Sequence, residues 1–503
     1  MVFLFNNIDG IGVMGEIVGK LLGPTGGYKM LVDGKTKDVE YTIDPAIMLD
    51  KMFRCHPSRV FLTDAGLTVK REVGDGVTST LVLLSALLTE GKKLIQRGVH
   101  PSTLSTAYVR SLVQLTKFAQ ELSFGIDPTD PVMLRKVVFT ACNKIPREYR
   151  GNLSSIIAQA LLEIGTPKDG GLDADIRALK LSKQEGGSIA DTILVQGVAT
   201  PMDILDPGMP RRVENTKVLL LNTPLQVVRP KYNPKVVIES IGDRARLDSV
   251  EDGILQKMTN TITGTGAKVV MCQQFIDEEI ATQLAREGVI AVRFVSEFDM
   301  ECLAKATGAK VTDDLASVDE SVLGYAGLVE QREVENMMWL FFERIPAPKS
   351  LTVLIRGPYS QVLDMVQSSL GDSLFAGRDV MRHPRVVFGG GSFEMELSRL
   401  IRDFSFTLYG REQLAYQAFA DALEQVPAML AKNSGMNDLD TLLDLRRLHA
   451  EGYGRSGIDT QRRAIIDVKE SGILEPLDVK IQILETAAEA AASILRMNGL
   501  ISR

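Results

Sequence analysis

The sequence predicts a multidomain protein in which two helical ends flank an α/β middle. The chain has 503 residues, which is more than one ordinary hydrophobic core supports, so several domains are expected. Apolar residues recur at helical spacing over residues 82–95 and 104–122, and again over 413–432 and 477–497. This spacing predicts amphipathic helices, and both ends are therefore expected to be mainly α-helical.

The middle of the chain has a different pattern. Short apolar runs at residues 218–221, 268–271 and 289–292 read as strands, and a helical stretch at 276–286 lies between two of them. Alternation of this kind predicts an α/β domain. Because segments of mixed character connect this middle to the ends, we expect one helical domain built from both termini, with the α/β part inserted.

Composition and charge disfavour several classes of protein, namely nucleic-acid-binding, membrane-spanning, zinc-binding and disulfide-bonded ones. The net charge is -7 and long Lys/Arg runs are absent, so nucleic acid is a disfavoured partner. The longest strongly apolar run, near Leu81 to Leu88, is too short to cross a membrane. The four cysteines lack Cys-x-x-Cys spacing and clustered histidines, which indicates neither a zinc site nor a disulfide framework and favours a cytoplasmic location.

The strongest motif is the loop Gly74-Asp75-Gly76, followed by Val77-Thr78-Ser79-Thr80 and an apolar helix. Glycines allow close approach of a bulky anion, and free N–H groups at a helix start favour phosphate. The Asp is a suitable ligand for Mg²⁺, which prefers oxygen atoms and bridges phosphates. The alternative interpretation is a tight turn with a Ser/Thr cap on the helix.

Other glycine clusters and the histidines carry weaker signals. Gly389-Gly390-Gly391 lies between a strand-like run and a helix, and indicates either a ligand contact or a flexible connection. The G-x-G-x-x-G pattern at residues 10–15 lacks a strand that feeds directly into it, so a dinucleotide fold is disfavoured. The scattered histidines, His56, His100, His383 and His449, are expected at the surface or at helix caps.

In combination, these motifs resemble the group II chaperonins, the archaeal thermosome and its eukaryotic cytosolic relatives. GDGVTS at residues 74–79 is similar to the family loop GDGTTS, and the order of the other segments matches as well. Those segments are LGPTG at 22–26, KMLVD at 29–33, EGGS at 185–188, PGMP at 207–210, GGGSFEME at 389–396, REQL at 411–414 and ILEPL at 473–477.

The resemblance implies a chaperonin fold with three domains. The equatorial ATPase domain would comprise residues 1–127 and 390–503, and the intermediate domain 128–199 and 355–389. The apical, substrate-binding domain would comprise 200–354, with a helical protrusion near residues 236–262. The resemblance also implies a longer N-terminal segment before Asn7, which leaves Met1 to Phe5 as the candidate for a terminal strand.

The family's site residues transfer to matching positions of this sequence. Asp75 would bind Mg²⁺, Asp44 and Asp372 would act on the attacking water, and Lys144 would sense the γ-phosphate. Hydrolysis would then require the intermediate segment carrying Asp372 to close on the equatorial one. The implied nucleotide-binding residues are Leu22, Gly23, Asp75, Gly76, Thr78, Ser79, Thr80, Asn143, Lys144, Gly390, Gly391 and Glu475.

The implied function is ATP-dependent protein folding in a double ring. The cofactors would be ATP and Mg²⁺, with K⁺ as a further candidate, and the partners non-native polypeptides and other chaperonin subunits.

Several positions depart from the family: Val77 replaces a Thr, Pro45 replaces the Gly after Asp44, and Lys70-Arg71 replaces acidic residues. The altered phosphate loop and the shortened N-terminus support an alternative, a non-hydrolysing or weakly hydrolysing structural or adaptor subunit of a chaperonin hetero-oligomer.

Overall fold

The computed structural model describes residues 2–32, 36–37, 39–51, 59–168, 171–227 and 241–497. The chain forms two compact units, one comprising Met1–Ala174 with Asp364–Arg503 and the other Asp175–Leu363. The first unit thus contains both ends of the chain, in keeping with the nested arrangement. The borders between these two units do not coincide with the three-domain boundaries inferred from the resemblance. Those boundaries therefore stay predictions.

The first part of the chain is mainly helical and ends in a small hairpin. Its elements are α1 (Val2–Gly19), β1 (Lys29–Val32), β2 (Val39–Thr42), α2 (Pro45–Lys51), α3 (Arg59–Glu72), α4 (Val77–Gln96), α5 (Pro101–Leu122), β3 (Phe124–Gly125), α6 (Pro131–Ala141), α7 (Arg147–Ile164), β4 (Thr166–Lys168) and β5 (Gly171–Asp173). The helices expected over residues 82–95 and 104–122 are confirmed as α4 and α5.

Helix α1 contains two segments that the sequence singled out, the candidate terminal strand and the G-x-G-x-x-G pattern. It begins at Val2, so the segment considered for a terminal strand is helical instead. The G-x-G-x-x-G pattern at residues 10–15 lies inside the same helix, where it forms no phosphate-binding turn. The sequence-based exclusion of a dinucleotide fold is therefore confirmed.

The second unit is the α/β part. It contains 3₁₀ turns at Ile176–Ala178, Ile189–Asp191, Leu315–Ser317 and Glu320–Val322, together with β6 (Leu179–Glu185), β7 (Ile193–Val195), β8 (Val198–Thr200), β9 (Arg212–Leu221), α8 (Ile241–Gly264), β10 (Ala267–Cys272), α9 (Glu278–Arg286), β11 (Ile290–Val292), α10 (Glu297–Thr307), β12 (Val311–Thr312), β13 (Gly324–Val334), β14 (Met337–Glu343) and β15 (Leu351–Gly357). Strands β9, β10 and β11 confirm the three predicted strands.

Its main sheet is mixed and has the order β11-β10-β9-β13-β14-β8, with β12 paired to β9. Strands β9, β10 and β11 run parallel to one another, whereas β13 runs antiparallel to both of its neighbours, β9 and β14. Val218 and Leu220 enter one apolar cluster and Leu219 and Leu221 another, so both faces of β9 are buried. A smaller sheet has the order β6-β15-β7. Of the predicted protrusion, residues 236–240 lie outside the described residues, and α8 covers the remainder.

The last part of the chain returns to helices. Its elements are α11 (Ser360–Arg382), β16 (Arg385–Phe388), α12 (Ser392–Ser405), α13 (Arg411–Leu423), α14 (Gln425–Asn433), α15 (Asp438–Ala450), β17 (Ser456–Asp459), β18 (Ala464–Asp467), α16 (Val468–Ser471), β19 (Leu474–Pro476) and α17 (Leu477–Leu495). The single helix expected over 413–432 is wrong, because α13 and α14 meet at Glu424. Pro427 lacks the N–H that would continue the ladder to Leu423, which favours a break there.

Helix α4 is central to the first unit. It packs against α1, α13 and α17, and most of its apolar residues are buried. Since α4 begins directly after the Gly74-Asp75-Gly76 loop, this packing fixes the loop on a rigid element. The small sheet β19-β16-β3 places Glu475 opposite Val387, next to the Gly389–Gly391 turn. None of the described helices combines the length and apolar character that a membrane crossing requires.

Candidate functional site

A cavity of about 280 Å³ in the first unit collects most of the predicted site residues. Its walls come from both ends of the sequence. The predicted residues that line it are Leu22, Gly23, Asp44, Asp75, Gly76, Thr78, Ser79, Asn143, Lys144, Asp372, Gly390, Gly391 and Glu475.

Thr80 is the predicted residue that the cavity wall leaves out. Its side chain is fully buried, and its Oγ1 donates a hydrogen bond to the Gly76 carbonyl at 3.0 Å. Thr80 therefore braces the first turn of α4, and the structure places it behind the wall rather than in contact with the cavity.

The loop before α4 requires glycine at two positions. Gly74 and Gly76 have φ values of 72° and 88°, a region that other residues rarely adopt. A Cβ on Gly74 would also lie 2.2 Å from Phe375 of α11. Gly76 is the N-cap residue, and no side chain caps the helix. The alternative of a Ser/Thr-capped turn is therefore wrong, and the start of α4 offers its N–H groups and dipole to an anion.

A second helix begins at the same cavity in the same way. Gly391 is the N-cap of α12, has a φ of 79°, and lacks a side-chain cap. The preceding Gly390 accepts a hydrogen bond from the Ile458 N–H at 2.8 Å, which fixes the turn against β17. Two uncapped helix starts thus face one cavity, an arrangement suited to a ligand with several negative oxygens.

Asp75 is the candidate metal ligand. Its Oδ1 accepts a hydrogen bond from the Gly76 N–H at 2.6 Å. Burial, together with the negative charge of Asp372, raises the pKa of Asp75 to about 6. A carboxylate in need of positive charge fits Mg²⁺. One carboxylate is a usual protein contribution to Mg²⁺, which takes its other ligands from water and phosphate.

Asp44 lies between β2 and α2 and acts as the cap of α2. Its Oδ1 accepts the Ala46 N–H at 2.8 Å, and its Oδ2 accepts the Ser368 hydroxyl at 3.1 Å. Pro45 then occupies the first helical position, where a missing N–H costs nothing. The departure from the family's Gly at this position is therefore compatible with the local fold. Burial alone would raise the pKa of Asp44, but Lys70 and Lys144 outweigh it and lower that pKa.

Asp372 lies on α11 and pairs with Lys144. The distance from Lys144 Nζ to Asp372 Oδ2 is 2.9 Å. Burial opposes the charge on Lys144, but Asp372 and Asp44 outweigh it and raise the pKa of the ammonium. Arg150 holds the loop that presents Lys144, because its guanidinium donates to the carbonyls of Asn143 and Ile145, both at 2.8 Å. Lys144 is thus a charged group on a fixed loop.

Lys70 is a further residue of the cavity wall that the sequence motifs do not assign to the site. In the sequence Lys70 is distinguished only by its departure from the family pattern. In the structure its Nζ is 3.4 Å from Asp44 Oδ2 and makes a short ion pair with Asp372 Oδ1. The signal in the sequence was its position on the last turn of α3, shortly before the glycine loop. Through Lys70, Asp372 is thus linked to the helix that leads into the Gly74-Asp75-Gly76 loop.

Glu475 belongs to a charge cluster in the cavity wall, which it forms with Glu394 and Lys480. Lys480 Nζ is 2.5 Å from Glu475 Oε2 and 2.7 Å from Glu394 Oε1, and Lys480 is only 4% exposed. The other Glu394 oxygen, Oε2, is buried without a hydrogen-bond partner among the described residues. Lys480 was likewise not predicted as part of the site.

Comparisons with known proteins agree with this fold. The model of the TCP-1/cpn60 chaperonin family matches residues 14–503. A thermosome subunit of Methanopyrus kandleri is 37% identical over 497 residues, which span 99% of this chain and 91% of that relative. Thermosome subunit alpha of Aeropyrum pernix is 36% identical over 500 residues, which span 98% and 90%.

A solved structure supports the same assignment. The open-state monomer of a group II chaperonin from Methanococcoides burtonii matches with a TM-score of 0.63 and 32% identity, covering 84% of this chain and 100% of that one. Since fold, motif order and near full-length similarity agree, the chain belongs to the TCP-1/cpn60 chaperonin family and is a chaperonin subunit of the group II, thermosome-like kind.

Proposed function

We propose that this chaperonin subunit binds and hydrolyses ATP to drive the enclosure and folding of non-native polypeptides in a double ring. The observation that carries the proposal is the pairing, in one cavity, of two uncapped helix starts with the Lys144–Asp372 ion pair. The helix starts suit phosphates, and the ion pair supplies a cation and a carboxylate for a transfer reaction.

The triphosphate would lie along the Gly74-Asp75-Gly76 loop. N–H groups at the start of α4 and the hydroxyls of Thr78 and Ser79 would hold the phosphate oxygens, while the Gly390-Gly391 turn and Glu475 would contact the nucleoside. Asp75 would hold Mg²⁺, which neutralises phosphate charge when bound. Lys144 would move its ammonium from Asp372 to the γ-phosphate.

The acids Asp44 and Asp372 would orient and polarise the attacking water. Both are buried, so they act where water competes weakly and electrostatic effects are large. Asp372 belongs to the segment assigned to the intermediate domain and Asp44 to the equatorial domain. Hydrolysis would therefore depend on the contact between these two segments, which couples chemistry to movement of the polypeptide-binding apical domain.

The test is ATP turnover by the assembled protein, with Asp372→Ala as the variant. We expect turnover to fall by about a hundredfold or more while nucleotide binding persists, because the change removes a group that acts on the attacking water. Asp403→Ala is the control, since Asp403 is an exposed acid on α12 outside the cavity.

Two outcomes would contradict the proposal. Unchanged turnover in Asp372→Ala would remove the role assigned to that residue. A wild-type ring that binds ATP without hydrolysing it would favour the alternative, a structural subunit. The mass of the particle and its image in the electron microscope, measured on the same preparation, test the double ring.

A further inference from the structure

Lys70 lies between the two acids on which the proposed hydrolysis depends. Its Nζ contacts Asp44 Oδ2 at 3.4 Å and makes a short ion pair with Asp372 Oδ1. The two acids are 6% and 4% exposed, and they come from segments far apart in the sequence. Two buried carboxylates that converge on one point require positive charge, because unpaired buried anions are strongly disfavoured.

The other partners of the two acids do not replace Lys70. Asp44 accepts hydrogen bonds from the neutral Ala46 N–H and Ser368 hydroxyl, and Lys144 pairs with the other oxygen of Asp372. Within the part of the chain that the structure describes, Lys70 is the cation found in contact with both carboxylates.

The ammonium is delivered from a rigid element. Lys70 lies on the last turn of α3, whose residues Leu62, Ala65 and Val69 are buried, and the helix leads directly into the glycine loop. Burial would lower the pKa of Lys70, but the charges of Asp372 and Asp44 outweigh it and raise that pKa. The side chain is therefore a permanent cation at neutral pH.

We propose that the Lys70 ammonium is the resident cation of this site, a positioning residue that holds Asp44 and Asp372 together where their oxygens would otherwise bind a monovalent cation. The inference rests on the proposed ATPase function and deepens it. K⁺ between these two carboxylates does not fit, since the Lys70 Nζ already occupies that position. Hydrolysis by this chain would then need no metal ion at that point.

Substitutions that differ in the space they leave can test this directly. Lys70→Ala removes the charge and leaves room for a small cation, whereas Lys70→Met removes the charge but fills most of the space. Lys70→Arg keeps the charge. Arg71→Ala is the matched control, because Arg71 is the exposed neighbour on the same helix and does not line the cavity.

The first readout uses the nucleotide-free protein. Melting temperatures are measured in tetramethylammonium chloride, which is too bulky for the site, and then in methylammonium or potassium chloride. We expect Lys70→Ala to melt several degrees below wild type in the bulky salt and to recover with either small cation. Lys70→Met should melt low in all three salts, while wild type and Arg71→Ala should respond to none.

The second readout is steady-state hydrolysis of ATP. Lys70→Ala should lower kcat by about tenfold and change KM by less than about threefold, because the change acts on the acids rather than on nucleotide contacts. Methylammonium should restore at least about half of the lost kcat in Lys70→Ala and none in Lys70→Met. Lys70→Arg should retain more activity than either.

The result that overturns the inference is Lys70→Met with the kcat and melting temperature of wild type. Lys70→Ala that gains nothing from small cations in either readout would overturn it equally. If Lys70→Ala does not fold, the comparison of Lys70→Met with Lys70→Arg decides. If wild type does not hydrolyse ATP, the proposed function fails, and the melting temperatures still decide the role of Lys70.

Discussion

Gly391 and Gly435 have the same backbone φ of 79°, yet only the first is crowded. A Cβ on Gly391 would lie 2.7 Å from Pro427 Cβ, whereas nothing lies within 4 Å of a Cβ on Gly435. The two residues therefore separate the two reasons for glycine in this chain. At Gly435 the reason is backbone conformation, and at Gly391 it is conformation together with close packing beside the cavity.

Gly391→Ala should be more harmful than Gly435→Ala. A left-handed alanine costs about 1–2 kcal/mol at either position, and the clash with Pro427 adds about 1–3 kcal/mol at Gly391. Because Gly391 begins α12 at the cavity wall, ATP affinity should also fall for Gly391→Ala and stay unchanged for Gly435→Ala. Denaturant unfolding and nucleotide titration measure the two effects, and equal losses in both variants would contradict the packing argument.

Motif order in the sequence predicted a site that the structure largely assembles. Asp44, Lys144 and Asp372 lie far apart in the sequence, and local pattern gives no reason to place them in one site. Their match to the family's segments predicted that they share one site, and in the structure all three line one cavity. The helices and strands with strong periodicity were equally predictable, because burial of one face repeats at the spacing of the element.

Contacts that depend on tertiary structure were not predictable in this way. Lys70 and Asp372 are separated by 302 residues, and a lysine near a helix end normally suggests a solvated position. His449 was expected at the surface or at a cap, which is wrong, because it is 2% exposed and its Nδ1 lies 2.7 Å from Glu396. His100 does cap α5, as expected, and His56 lies outside the described residues.

Asp379 should make the protein less stable as the pH rises. Burial raises its pKa to about 6, with the paired Arg378 only partly offsetting this, and its Oδ2 is buried without a partner among the described residues. A carboxyl whose pKa is higher in the folded protein costs nothing below its unfolded value near 3.8. Its cost appears as the pH rises towards 6 and is complete above that.

Asp379→Asn should therefore raise the free energy of unfolding by about 1–3 kcal/mol at pH 8, with the gain disappearing near pH 4. Denaturant unfolding at both pH values measures it. Asp421→Asn is the control, because this acid is more exposed than Asp379 and also pairs with an arginine, Arg402. A gain that is the same at pH 4 and pH 8 would show that the effect of Asp379 does not come from its ionisation.

Lys480 should be indispensable to the stability of the first unit. Its buried ammonium bridges Glu394 and Glu475 at 2.7 and 2.5 Å, and Lys480→Met would leave two acids close together without their cation. Removal of one partner from a buried ion pair costs about 3–5 kcal/mol.

Lys432→Met removes an exposed lysine whose nearest acid is Glu16 at 3.8 Å, so it should change the free energy of unfolding by less than about 0.5 kcal/mol. Adding Glu394→Gln to Lys480→Met should recover part of the loss, because it removes one of the uncompensated charges. Denaturant unfolding of the three variants checks this order, and a double variant no more stable than Lys480→Met would mean that packing of the lysine stem, rather than its charge, supports this part of the fold.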